Sequence, residues 1–146
     1  MRRVLEDLIE TLEDGRRGFA EAADRLAASG RNDLAAQMRE YSEQRRRFST
    51  ELREMAAEQG MGVAQNGSIA ASVHRGWMAL REAISSDQVS VLLSAAESGE
   101  EEAGKEYAKA LDEELPEDVR MVLARQSSAI TAAHDELQAM REQGAA

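Results

Sequence analysis

The segment spanning residues 87–115 places the strongest constraint on the fold. Its apolar residues recur every three or four positions and would form one stripe on a helix. The stripe is Leu93, Ala96, Glu100, Ala103, Tyr107 and Leu111. Glu100 interrupts this stripe at its centre. A carboxylate inside a helix bundle needs a metal ion, a basic side chain or a proton as its partner, and the choice among them defines the functional question.

Three other segments carry a similar stripe with one central member that does not fit. The pattern predicts helices over residues 3–28, 33–59 and 116–141. Their interruptions are Gly15, Arg45 and Gln126. Because each lies near the middle of its helix, helices of matched length should bring these residues and Glu100 to one level.

We expect this level to form a structural polar layer. The Arg45 guanidinium would pair with Glu100, and Gln126 would complete the hydrogen bonds. Gly15 would leave room for the long arginine side chain. The alternatives are that Arg45 extends to the surface with its stem covering apolar neighbours, and that Gly15 is a tolerated weak point in its helix.

Turn signals predict how the helices are connected. Gly30 follows the first helix and Pro116 opens the last one, so the first two and the last two helices should form antiparallel hairpins. A shorter helix is predicted at about residues 68–84, within the segment that joins the hairpins. At 1.5 Å per residue it is about long enough to run the length of a bundle. The expected fold is an all-α four-helix bundle with a long crossover, in a single domain of residues 1–146.

Composition excludes several classes of function. The chain has no cysteine, which excludes a disulfide framework and a thiolate metal site. Its net charge of −10 argues against a nucleic-acid partner, which needs a basic surface. No apolar run approaches the ~20 residues of a membrane span, and the N-terminus has no signal-peptide pattern. We therefore expect no membrane partner and a cytoplasmic location.

Four segments resemble a bacterial family of uncharacterised, ferritin-like four-helix-bundle proteins, a domain of unknown function. The segments are Leu8-Ile9-Glu10-Thr11-Leu12 with Asp14-Gly15, His74-Arg75-Gly76-Trp77, Glu97-Ser98-Gly99-Glu100-Glu101 and Ala133-His134-Asp135. The resemblance covers nearly the whole chain. It implies a ferritin-like fold and carries no established activity.

The wider ferritin-like superfamily, which includes rubrerythrins, holds di-iron centres with a Glu-x-x-His pattern on two helices. That pattern is absent here, because neither His74 nor His134 has a glutamate three positions before it. The second helix resembles a rubrerythrin second helix in which Arg45 and Phe48 occupy the glutamate and histidine positions. A guanidinium and a phenyl ring cannot ligate iron.

These observations favour a non-catalytic bundle without metal or other cofactor that acts through its surface. Fold analogy suggests a homo-oligomer, with a dimer favoured, and a stress-related role. The alternative is an iron-binding, rubrerythrin-like oxidative protein with a degenerate site made of Glu97, Glu100, Glu101 and His134. A third hypothesis, nucleic-acid protection by an oligomer, is opposed by the acidic charge.

Overall fold

The computed structural model describes residues 1–62 and 88–144 of the chain. They form four helices: α1 (Arg2–Ala28), α2 (Asn32–Glu58), α3 (Val89–Leu111) and α4 (Glu117–Gly144). No strand occurs among them, so the predicted all-helical fold with four long helices is confirmed. The short helix predicted at residues 68–84, with His74 in it, lies outside the described residues. None of the four helices is long and apolar enough to cross a membrane.

Two backbone hydrogen bonds close the end of α1, at the turn of the first hairpin. After α1, Gly30 adopts a φ of +81°. Its N–H donates to the Ala27 carbonyl at 3.0 Å, and the Arg31 N–H donates to the Leu26 carbonyl at 2.9 Å. This pair of bonds is a Schellman motif, in which glycine adopts the left-handed conformation without steric cost. The chain reverses there, and α2 begins at Asn32.

The turn between α3 and α4 is held by a side chain. Arg120 Nη1 donates to the Leu111 carbonyl and Nη2 donates to the Glu113 carbonyl, both at 2.7 Å. These carbonyls lie at and just beyond the end of α3. They have no helical N–H group after them to accept from, and Arg120 supplies the donors instead. The acidic residues Glu117 and Asp118 lie in the first turn of α4, where the helix dipole favours negative charge.

The core consists of two apolar halves. One half includes Phe19, Leu26, Met38, Leu93, Ala96 and Leu137. The other includes Leu12, Phe48, Leu52, Ala103, Leu123 and Ile130. On each of the first three helices, the residue between the two halves is the predicted interruption of the stripe: Gly15, Arg45 and Glu100.

Helix packing makes α2 and α3 diagonal partners. α1 packs along both α2 and α3, and α3 packs along α4, whereas no Cα atom of α2 lies within 8 Å of a Cα atom of α3. A side chain that joins α2 to α3 must therefore cross the centre of the bundle. Arginine, with three methylene groups before its guanidinium, has the necessary length.

Candidate functional site

A buried ion pair joins α2 to α3 across the core. Arg45 Nη1 donates to Glu100 Oε1 and Nη2 donates to Oε2, both at 2.6 Å. The two side chains are 1% and 0% exposed. Two parallel charge-assisted bonds match the arginine fork to both carboxylate oxygens, which makes this pair strong and geometrically specific. Each charge therefore has its counter-ion within the core.

The surroundings of Arg45 are largely apolar. Its guanidinium carbon lies 5.4 Å from the centroid of the Phe19 ring, within the range of a cation–π attraction. Its Nε has no hydrogen-bond partner within the described part of the chain. The two terminal nitrogens of the guanidinium are thus hydrogen-bonded, whereas Nε is not. The pair therefore fixes the relative placement of the two side chains more clearly than it increases the free energy of unfolding.

Gly15 lies beside the aliphatic stem of Arg45. A Cβ atom added at Gly15 would lie 3.5 Å from Cγ and 4.0 Å from Cδ of Arg45. These are ordinary van der Waals distances, so a methyl group would fit there. The position therefore restricts side chains larger than alanine, and glycine itself is not required to make room for the arginine.

Gln126 belongs to a second polar network and does not complete the hydrogen bonds of the ion pair. Tyr107 donates its hydroxyl proton to Gln126 Oε1 at 2.7 Å. Gln126 Nε2 donates to Glu51 Oε1 at 2.9 Å and, at 3.4 Å, to the Phe48 carbonyl. The position of Gln126 along the bundle explains this. Its apolar neighbours on the stripe, Leu123 and Ile130, both pack in the half of the core that contains Phe48, whereas the ion pair lies between the two halves.

The second network runs from the core to the surface. Burial raises the pKa of Tyr107, which keeps its hydroxyl protonated as a donor. At the outer end, Arg125 donates to Glu51 Oε2. That hydrogen bond lowers the pKa of Glu51, with a smaller contribution from Gln126. The amide of Gln126 therefore connects a neutral phenol to an ionised carboxylate, using its oxygen and its nitrogen respectively.

The four residues of the alternative metal site do not converge. Glu100 points inward and is bound by Arg45. Glu101 is exposed, with Lys105 Nζ at 4.0 Å. Glu97 and His134 do lie together, at the α3–α4 seam, with His134 Nε2 at 3.8 Å from Glu97 Oε1.

A di-iron centre does not fit this arrangement. A guanidinium already occupies the carboxylate that a core metal would need, and it cannot lose its proton to become a ligand. Among residues 1–62 and 88–144, no three histidines or acidic residues form a group that could hold a metal ion.

Two buried carboxylates on α1 were not anticipated from the sequence. Glu10 and Asp14 are 6% and 8% exposed. Burial raises the pKa of Glu10, and the nearby charges of Asp7, Asp14 and Glu6 raise it further. Their spacing of four residues, which places them on one helix face, was the available signal. Acidic residues on one helix face are typical of a solvated surface, so this spacing did not indicate that Glu10 and Asp14 are buried.

Comparison with known proteins identifies a family. Residues 1–113 match the family described as a domain of unknown function (DUF2383). The chain belongs to this family. The resemblance to an uncharacterised family is thereby confirmed, and the matched region of the DUF2383 domain contains Gly15, Arg45 and Glu100, whereas Gln126 and His134 follow it. No curated protein and no solved structure matches the chain.

Proposed function

We propose that this DUF2383 protein is a non-catalytic, ferritin-like bundle in which an arginine–glutamate pair takes the place of a di-iron centre. The observation that carries the proposal is the bidentate pair of Arg45 and Glu100 at the middle of the core. In di-iron bundles the corresponding level holds cations bound by inward-facing carboxylates. Here the guanidinium supplies the positive charge.

The chemistry of the pair supports a metal-free core. Both carboxylate oxygens of Glu100 accept a hydrogen bond from Arg45, so a metal ion would have to displace a buried cation in order to bind. Displacement would leave the guanidinium buried without a counter-ion, which is costly. The second network offers no free ligand atom at Gln126 either, because both the oxygen and the nitrogen of its side-chain amide are already hydrogen-bonded.

The proposed role is therefore exerted through the surface of the molecule. We infer a cytoplasmic homo-oligomer, with a dimer favoured, and a stress-related role; the oligomer and the role rest on fold analogy. Light scattering coupled to size-exclusion chromatography tests the assembly. A dimer mass that persists on dilution supports the proposal, and a monomer at every concentration contradicts that part of it.

The decisive experiment is iron loading under air. Metal-free protein is mixed with Fe(II), and the bound iron per chain, the rate of Fe(II) oxidation and the oxo-bridge absorption band are measured. We expect no stoichiometric pair of irons and no oxidation above the protein-free rate. Two irons per chain with an oxo-bridge band would establish the alternative, a rubrerythrin-like oxidative protein. If iron binds, the double variant Arg45→Met with Glu100→Leu is the matched control, because it removes the core carboxylate without leaving a buried charge unpaired; loss of iron in that variant would place the metal in the core.

A further inference from the structure

The outer face of α4 carries few charges. Between positions 121 and 139 the helix has ten exposed residues, of which three are charged, whereas on α2 six of the eight exposed residues between positions 36 and 54 are charged. Six residues at helical spacing lie directly opposite the core, and we call them the outer stripe of α4: Met121, Ala124, Ser128, Ala132, Asp135 and Ala139. A solvated helix face is normally charged, and the centre of a protein interface is depleted of charge. The composition of the outer stripe therefore favours contact with another protein.

Small side chains on the outer stripe permit the close approach of a second helix. Three alanines and a serine lie along it, and short side chains at a contact bring helix axes toward the lower end of the 8–10 Å range. Met121 begins the stripe and is 65% exposed, the one exposed large apolar side chain in the part of the chain that the structure describes. Its flexible thioether adapts to the surface it meets. The shape of the stripe therefore suits a helix as its partner.

The charges on and beside the outer stripe have a definite order. Arg125 lies on the flank nearer α2, where it donates through Nη2 to Glu51, and its side chain is 55% exposed. Glu136, three turns further on, lies on the same flank and accepts through Oε2 from the Tyr41 hydroxyl at 3.0 Å. Asp135 on the stripe is 68% exposed. One end of the stripe thus carries a cation and the other end carries carboxylates.

We propose that the outer stripe of α4 binds the same stripe of a second copy of this chain, with the two helices antiparallel. A two-fold axis near position 130 brings opposite one another those positions whose numbers add to about 260. Arg125 of each copy then faces Glu136 of the other, on the same flank of the contact. Met121 of each copy packs on Ala139 of the other. Because the interface is two-fold symmetric, each of these contacts is made twice.

The order of the charges selects the antiparallel arrangement. Parallel copies would place Arg125 against Arg125 and Glu136 against Glu136, and like charges across a contact are unfavourable. In the antiparallel arrangement, Nε and Nη1 of Arg125 can donate to Oε1 of the second copy's Glu136, while the bonds to Glu51 and Tyr41 within each chain are kept. The charge pattern is therefore complementary to itself in one orientation of the two helices.

The inference rests on the homo-oligomer of the proposed function and assigns its interface. Sedimentation equilibrium of the full chain, over a range of protein concentrations, gives the dissociation constant of the dimer. Ala132→Glu places a carboxylate on the stripe close to the two-fold axis and should raise this constant by about tenfold or more. Thr50→Glu is the matched control, an exposed position on α2, and should dimerise like the parent. Far-ultraviolet circular dichroism verifies that both variants are folded.

A charge exchange tests the orientation. Arg125→Glu and Glu136→Arg should each raise the dissociation constant by about tenfold or more, because each places like charges across the two-fold axis. The double variant Arg125→Glu with Glu136→Arg should bring it back toward the parent value. Within one chain the two positions lie about 16 Å apart along the helix, so this recovery requires contact between copies.

Three outcomes would overturn the proposal. A dimer that Ala132→Glu leaves unchanged places the interface elsewhere, and a double variant weaker than both single variants contradicts the antiparallel orientation. Either result leaves the metal-free core of the proposed function intact. A monomer at every concentration overturns the inference together with the oligomer, whereas the core is decided separately by iron loading.

Discussion

Removing one charge of the core ion pair should destabilise the protein strongly. In Arg45→Ala the Glu100 carboxylate, with 0% of its side chain exposed, loses its counter-ion. In Glu100→Ala the buried guanidinium is left alone. Breaking a buried pair in this way costs about 3–5 kcal/mol. A domain of this size is stable by about 5–15 kcal/mol, so either variant should lose a large part of its stability.

Removing both charges together should cost far less. The double variant Arg45→Met with Glu100→Leu replaces two desolvated ions by apolar side chains in an apolar environment. Because the desolvation of a buried pair offsets much of its attraction, such replacements are often neutral or stabilising. The double variant should therefore lose far less stability than the roughly 6–10 kcal/mol that two independent losses of a charge would give.

Thermal and urea unfolding followed by far-ultraviolet circular dichroism measures these differences. At about 2–4 °C per kcal/mol for a chain of this length, each single variant should melt roughly 6–20 °C below the parent. Glu101→Ala, on the exposed face of the same helix, should change stability by no more than about 0.5 kcal/mol. The reasoning is refuted if the single variants melt like the parent, or if the double variant is as unstable as both singles combined. If a single variant does not fold, recovery of folding in the double variant still decides the question.

Three further predictions concern neighbouring polar and small residues. Gly15→Ala should stabilise by up to about 1 kcal/mol because the methyl fits beside Arg45 and alanine favours helix, whereas Gly15→Leu should destabilise by about 1–3 kcal/mol in urea unfolding. Tyr107→Phe should cost about 1–3 kcal/mol in the same assay, because Gln126 Oε1 loses its buried donor; a neutral result would contradict the assigned hydrogen bond. Glu10 has a raised pKa in the folded state, so its contribution to stability is fully present below its unfolded pKa and is lost as pH rises through the folded one. Glu10→Gln should therefore raise the melting temperature at neutral pH and lose that advantage in acid, and a pH-independent difference would contradict this.

The sequence by itself predicted the four long helices and offered the central ion pair as one of the alternatives for Glu100. Helical periodicity is a local property, so four apolar stripes predicted four helices with nearly the observed ends. The pairing of Arg45 with Glu100 could also be anticipated, since both interrupt a stripe at mid-helix and carry opposite charges. Arg45 did not extend to the surface, because an arginine at the centre of a stripe points to the core, and the core there contains a carboxylate.

The tertiary structure alone decided where Gln126 and Glu10 lie. Gln126 interrupts its apolar stripe, as Gly15, Arg45 and Glu100 interrupt theirs. The position of α4 along the bundle axis relative to α2, which depends on the α3–α4 turn, places Gln126 beside Tyr107 and Glu51. Glu10 shares a face with other acidic residues, and whether such a face is solvated depends on what packs against it. Periodicity determines which residues share a face of one helix; relative shifts between helices and the burial of a second face are set by contacts between residues distant in sequence, which no local pattern encodes.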